Sequence, residues 1–209
     1  MRTTASTTTA TATLREAIQE IGLALNRPEQ FALRWKKRRE APTFAPSPAV
    51  FTVLLVNAVL GLAGFGLTMK MHLGLQPMLQ GALKAPTACG LAWVISLPSL
   101  YILNSLNGSK LDASTTVLAA LTTCSFGAMA MLAGVPVAWF FAMTLPFPAV
   151  RLAVNVVIFA GVGICMADVF LRTMKALEPR RSLLLPASWL ALLGLIGLEL
   201  QLLFNLFDL

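Results

Sequence analysis

Apolar positions run through this chain in long uninterrupted stretches from residue 49 onward, separated by short polar turns. Residues 49–69 carry no charge, and Asp112 and Arg151 bracket 38 uncharged residues. A helix rising ~1.5 Å per residue needs about 20 apolar residues to cross a hydrocarbon layer ~30 Å thick. The pattern therefore predicts an all-α integral membrane protein with about five transmembrane helices, over 49–69, 86–103, 114–134, 149–171 and 183–206. Pro98 is the expected kink in the second helix, and Asn104 to Asp112, containing Asn107-Gly108, reads as a tight polar turn.

Two intervals fall outside these spans. Residues 72–84 are too few to cross and carry Gln76, Gln80 and Lys84, which predicts a segment lying in the membrane interface. Residues 135–148 contain Pro136, Pro146 and Pro148, with Trp139 suited to an interfacial position. They read as a link broken by prolines, with a re-entrant segment as the alternative.

Before residue 49 the pattern changes. Residues 1–13 are rich in Ser and Thr and are expected to be a disordered tail; the same acid-free composition also suits an organelle transit peptide. They contain no apolar run of roughly 7 to 15 residues, so no secretory signal peptide is expected. Leu14, Ile18, Ile21 and Leu25 recur at helical spacing with charged and polar residues on the other faces, which predicts an amphipathic helix. Asn26 and Pro28 interrupt it. A second helical piece holds Phe31, Leu33 and Trp35 and ends in a basic run, and Pro42, Pro46 and Pro48 make a stiff connector into the bilayer. Residues 14–48 thus form a basic, amphipathic cytoplasmic head.

Charge sharpens this picture. Apolar residues make up 57% of the chain and charged residues 12%, far below the roughly 25% charged content of soluble domains. Net charge is +7, and eight of the sixteen Lys and Arg residues precede residue 40. Beside a membrane span, anionic lipid is a simpler partner for such a block than nucleic acid. Arg34, Trp35, Lys36, Lys37, Arg38 and Arg39 are the expected headgroup contacts. With the amino terminus inside, thirteen cations fall on the cytoplasmic side and only Lys70, Lys84 and Arg151 outside. The positive-inside rule then predicts a cytoplasmic amino terminus and an external carboxyl terminus, in a membrane expected to be the bacterial inner (plasma) membrane.

Groups able to do chemistry are few. Cys89, Cys124 and Cys165 lie in apolar segments without CxxC spacing and read as packing residues. His72 is the single histidine, with no second ligand near it in sequence. No HExxH, GxSxG, GxxxxGK[ST] or GxGxxG pattern is present, nor a carboxylate pair suited to acid–base work. The expectation is no enzyme, no metal and no cofactor.

Two acids lie within predicted spans. Asp168 precedes Arg172 by four residues, a spacing that permits an ion pair, with a proton relay as the alternative. Glu199 is deeper. Its expected partner is Arg151 at the outer end of the fourth span, and its alternative role is a proton or cation site. Small residues sit at packing intervals: Gly61 with Gly64, Ala119 with Thr123 and Gly127, and Gly194 with Gly197. In lipid such faces let helix backbones approach closely, within one bundle or between subunits.

The stretch Thr87-Ala-Cys-Gly-Leu-Ala-Trp-Val-Ile-Ser-Leu-Pro-Ser-Leu-Tyr-Ile-Leu-Asn, then Asn107-Gly-Ser-Lys-Leu-Asp and another span, resembles bacterial multi-span proteins grouped near the Yip (Ypt-interacting protein) family. The layout of a cytoplasmic segment followed by five close spans is similar too, over about residues 49–209. The Asp-Leu-Tyr-Gly-Pro motif of eukaryotic members is absent, so no functional residue is carried over. Two functions follow as expectations. The first is a non-enzymatic scaffold or subunit of a larger membrane assembly, partnered by membrane lipids and other membrane proteins. The second is a small channel or transporter lined by Asn57, Asn155 and Glu199.

Overall fold

The computed structural model describes residues 19, 22–39, 48–106, 108–109, 111–180, 182 and 184–204. Within them the chain is all-helical. Residues 22–26 are helical and lead into α1 (Pro28–Arg39); the long helices are α2 (Pro48–Met69), α3 (Leu75–Leu106), α4 (Ala113–Thr144), α5 (Pro148–Leu177) and α6 (Leu184–Leu203). Five of these are long and apolar enough to cross a membrane, and the chain is an integral membrane protein on that ground.

Two expectations are corrected. Residues 72–84 do not lie in the interface as a separate segment: after a turn of 3-10 helix at Met71–Leu73, α3 starts at Leu75 and runs unbroken through Pro86 and Pro98. Residues 135–148 do not re-enter; α4 continues through Pro136 to Thr144, and α5 begins at Pro148. The physical reason is common to both. A proline deletes one backbone bond, but inside a helix bundle its neighbours hold the helix together, so it need not end it. α3 and α4 have 32 residues each. At ~1.5 Å per residue they are about 48 Å long and overrun the ~30 Å hydrocarbon layer.

Glycines fix the joint between α2 and α3. Gly74 has φ 106°, a left-handed conformation that turns the chain into α3 without a side-chain clash. Just beyond, Gly66 and Gly81 bring the two backbones into contact. A Cβ on Gly66 would meet the Gly81 carbonyl oxygen and lie 2.8 Å from the Ala85 Cβ. This contact, with Gly81 and Ala85 both buried, is what draws 75–85 into the bundle. Since lipid tails are as apolar as leucine, dispersion gained by close backbone approach is the main force available for such packing.

The helices stand alternately up and down in an open ring. α2 packs chiefly on α4 and α3, α5 on α4, and α6 on α3, while α5 and α6 touch only sparingly. Reading round the ring, the order is α6, α3, α2, α4, α5, with the opening between α5 and α6. Ala58, Leu62, Phe65, Met69, Ala128 and Met131 are among the buried residues of the central core.

The head is docked on one end of this ring. Phe31, Ala32 and Trp35 are buried, and Trp35 stacks edge-on against Phe51 of α2 with ring centroids 5.6 Å apart. Lys36 Nζ donates to the carbonyl of Leu177 at 3.1 Å, satisfying a free acceptor at the end of α5. Arg172 of α5 reaches both Glu29 of α1 at 3.3 Å and Asp168 at 2.9 Å. At the same end, Ser109 donates to Glu178 at 2.8 Å, joining the turn before α4 to the end of α5.

Candidate functional site

The gap in the ring is a lateral groove between α5 and α6, with a volume of about 440 Å³. Cys89, Ala92 and Trp93 of α3 and Thr123 of α4 form its floor. One wall is Phe159, Gly163 and Met166 of α5; the other is Leu193, Gly197 and Gln201 of α6. Gly163, Gly194 and Gly197 face open space, with nothing within 4 Å of where a Cβ would stand. Their missing side chains are what deepen the groove. Trp93 also borders a second apolar hollow of about 380 Å³ between α2, α3 and α4.

One end of the groove is closed by an aromatic lock. Trp189 of α6 is fully buried, with ring centroids 5.0 Å from Phe170 and 5.6 Å from Trp93. Its indole N–H donates to the Ser96 carbonyl of α3 at 2.8 Å. The other end carries the groove's most polar group. Gln201 is 6% exposed, and its Oε1 is buried without a hydrogen-bond partner among the described residues.

The expected site residues separate into those that meet and those that do not. Asp168 and Arg172 pair, and the pair extends to Glu29. Gly61 lies against the Ala128 backbone, Gly64 against Leu132 and Gly127 against Met166, so these three do bring helices together. Ala119 is buried among Phe170, Met174 and Trp189, and Thr123 is buried with its hydroxyl donating to the Ala119 carbonyl at 2.9 Å. Gly194 and Gly197 differ: among the described residues nothing lies within 4 Å of a Cβ at either, and both line the groove.

Arg151 and Glu199 form no ion pair. Arg151 is half-buried with its Nε unpartnered, and Glu199 is exposed on the face of α6 turned away from the groove. That pair requires α5 and α6 to be close neighbours, but α6 packs mainly on α3 and the groove separates it from α5. Asn155 is half-buried on α5. Asn57 spends its amide on α4, donating to the Ser125 carbonyl at 3.1 Å and the Ser125 hydroxyl at 2.7 Å.

In the head, Arg34 and Lys37 are exposed and Lys36 is half-buried. Trp35 is a correction: at 3% exposure it belongs to the protein core and is not available to headgroups. The side chains of Arg38 and Arg39 lie outside the described residues. Cys89 and Cys124 line the two hollows, Cys165 is exposed, and His72 is exposed.

Sequence reasoning missed Gln201, Trp189 and Trp93. A signal for Gln201 was present, since it follows Gly197 by four residues and Gly194 by seven and therefore shares their helix face. Comparison with protein-family models, curated proteins and solved structures returns no match.

Proposed function

We propose that the chain is a non-enzymatic membrane scaffold, a subunit of a larger assembly that meets its neighbours through the outer face of α6. The observation that carries this reading is Glu199. It is an exposed carboxylate on a membrane-crossing helix, without an ion-pair partner among the described residues, and Leu192, Leu195 and Leu202 surround it on the same exposed face. A carboxylate facing hydrocarbon is costly, and a cation on a neighbouring subunit relieves that cost. The apolar surround supplies the dispersion contacts of a helix–helix interface.

The orientation in this reading places α1 on the cytoplasmic side. The head docks on the end of the ring that holds the turn before α4 and the end of α5, and in this reading thirteen of the sixteen cations, the eight before residue 40, Lys110 and the four from Arg172 to Arg181, belong to that side. Arg34 and Lys37 then face the anionic leaflet, each contributing up to ~1 kcal/mol of attraction near the surface.

The test is photo-crosslinking in native membranes from position 195, with and without Glu199→Gln. The expected result is one discrete protein adduct that weakens strongly in the Glu199→Gln chain. Adducts with lipid alone, or a protein adduct indifferent to Glu199, would contradict the reading.

A further inference from the structure

We propose that the groove between α5 and α6 binds one single-chain lipid bearing a hydroxyl-type head, with its tail along the groove and its head hydrogen-bonded to Gln201. This inference does not rest on the assembly reading, which concerns the opposite face of α6.

Size selects the class of occupant. From Leu190 to Gln201 the groove wall is about 16 Å long at ~1.5 Å per residue. A volume near 440 Å³ falls in the lower part of the ~300–1,000 Å³ range of small-molecule sites. An extended single tail fits that length. The length also matches one leaflet, half of the ~30 Å hydrocarbon layer.

Access and chemistry agree with size. The groove opens sideways between two helices that barely touch, so a lipid enters from the bilayer without crossing water. Its lining is apolar apart from Thr123, whose hydroxyl is already bonded within α4, and Gln201. Gln201 sits in the last turn of α6, at the leaflet opposite α1, where the head of an inserted lipid would lie. Gln201 is more than nine-tenths buried and its Oε1 has no partner among the described residues, a costly state that a ligand group can end. The buried atom is the carbonyl Oε1, which requires a donor, and the amide nitrogen requires an acceptor. A hydroxyl supplies both. An ester or ether supplies only an acceptor, and a bare alkane neither.

The experiment is native mass spectrometry of the purified, delipidated full-length chain titrated with 1-hexadecanol, 1,2-hexadecanediol, 1-methoxyhexadecane and hexadecane. The expected result is saturable one-to-one binding of hexadecanol and hexadecanediol, about tenfold tighter than the methyl ether and hexadecane. Gln201→Leu should erase that difference while leaving weak tail binding. Gly197→Leu, which fills the groove, should remove binding of all four, while Gly161→Leu, in open space away from the groove, should leave binding as in the wild type. Equal binding of all four probes by the wild type would overturn the head-group assignment. Binding that survives Gly197→Leu, or no saturable binding at all, would overturn the site. A dimer that Gly197→Leu dissociates would give the groove to a second copy and overturn the lipid.

Discussion

Trp189 donates its indole N–H to the carbonyl of Ser96, 2.8 Å away, and this bond pins α6 to α3. The same ring fills the end of the groove against Phe170 and Trp93. Trp189→Phe keeps an aromatic ring but deletes the donor. It should cost about 1–2 kcal/mol, the scale of an interhelical hydrogen bond in a bilayer plus some lost contact area. Reversible unfolding in mixed micelles measures it; a variant as stable as the wild type would show that the bond does not hold α6.

The crossing of α2 and α3 predicts a contrast between glycines. At Gly81 a Cβ would run into the Gly66 carbonyl oxygen, and a backbone atom cannot swing aside. Gly81→Ala should therefore destabilise by about 2 kcal/mol or more. Gly161→Ala, where nothing lies within 4 Å, should be neutral or stabilising by up to ~1 kcal/mol through better helix propensity. Equal effects in the same unfolding assay would mean that the backbones are not in contact.

The docked head predicts protection. Trp35, buried against Phe31 and Phe51, anchors α1, whereas the exposed Lys37 presents a tryptic site held in a helix. Trp35→Ala should release α1 and raise the rate of tryptic cleavage after Lys37 by at least ~10-fold, since losing a buried Trp costs about 3–5 kcal/mol. Glu29→Gln should change the rate far less. Its partner Arg172 has a side chain 54% exposed, and ion pairs in that setting are worth ~1 kcal/mol or less. If the two variants are cleaved alike, the aromatic anchor is not what holds the head.

Arg151 and Glu199 should behave as strangers. With no ion pair between them, Arg151→Met and Glu199→Gln should add in the double variant to within about 0.5 kcal/mol. A coupling above ~1 kcal/mol would place the two side chains together and redraw the arrangement of α5 and α6.

The number of spans was legible because length and the absence of charge are enough to mark a membrane helix. Their ends were less so. Pro86 and Pro136 look like stops to a rule learned on helices in water, and only the packing of Gly81 and Ala85 against α2 shows why α3 starts as early as Leu75. Helical spacing identified an apolar face around Phe31 and Trp35, but spacing alone does not say whether lipid or protein covers that face. The covering turned out to be Phe51, Val50 and Leu118. Neighbour relations were the weakest point. The expected pairing of Arg151 with Glu199 requires the last two helices to pack together, whereas Trp189 commits α6 to α3 and leaves the groove. Gln201 was passed over because a single amide among leucines announces nothing until the helices around it are placed.

The most direct test of the scaffold account is the native mass of the chain extracted from its own membrane in mild detergent at its natural abundance. The account predicts a stable particle well above 22.4 kDa, with at least one other membrane subunit in fixed ratio, and its partial dissociation in the Glu199→Gln chain. A clean 22.4 kDa monomer from the wild type, with nothing bound but lipid and detergent, would contradict it.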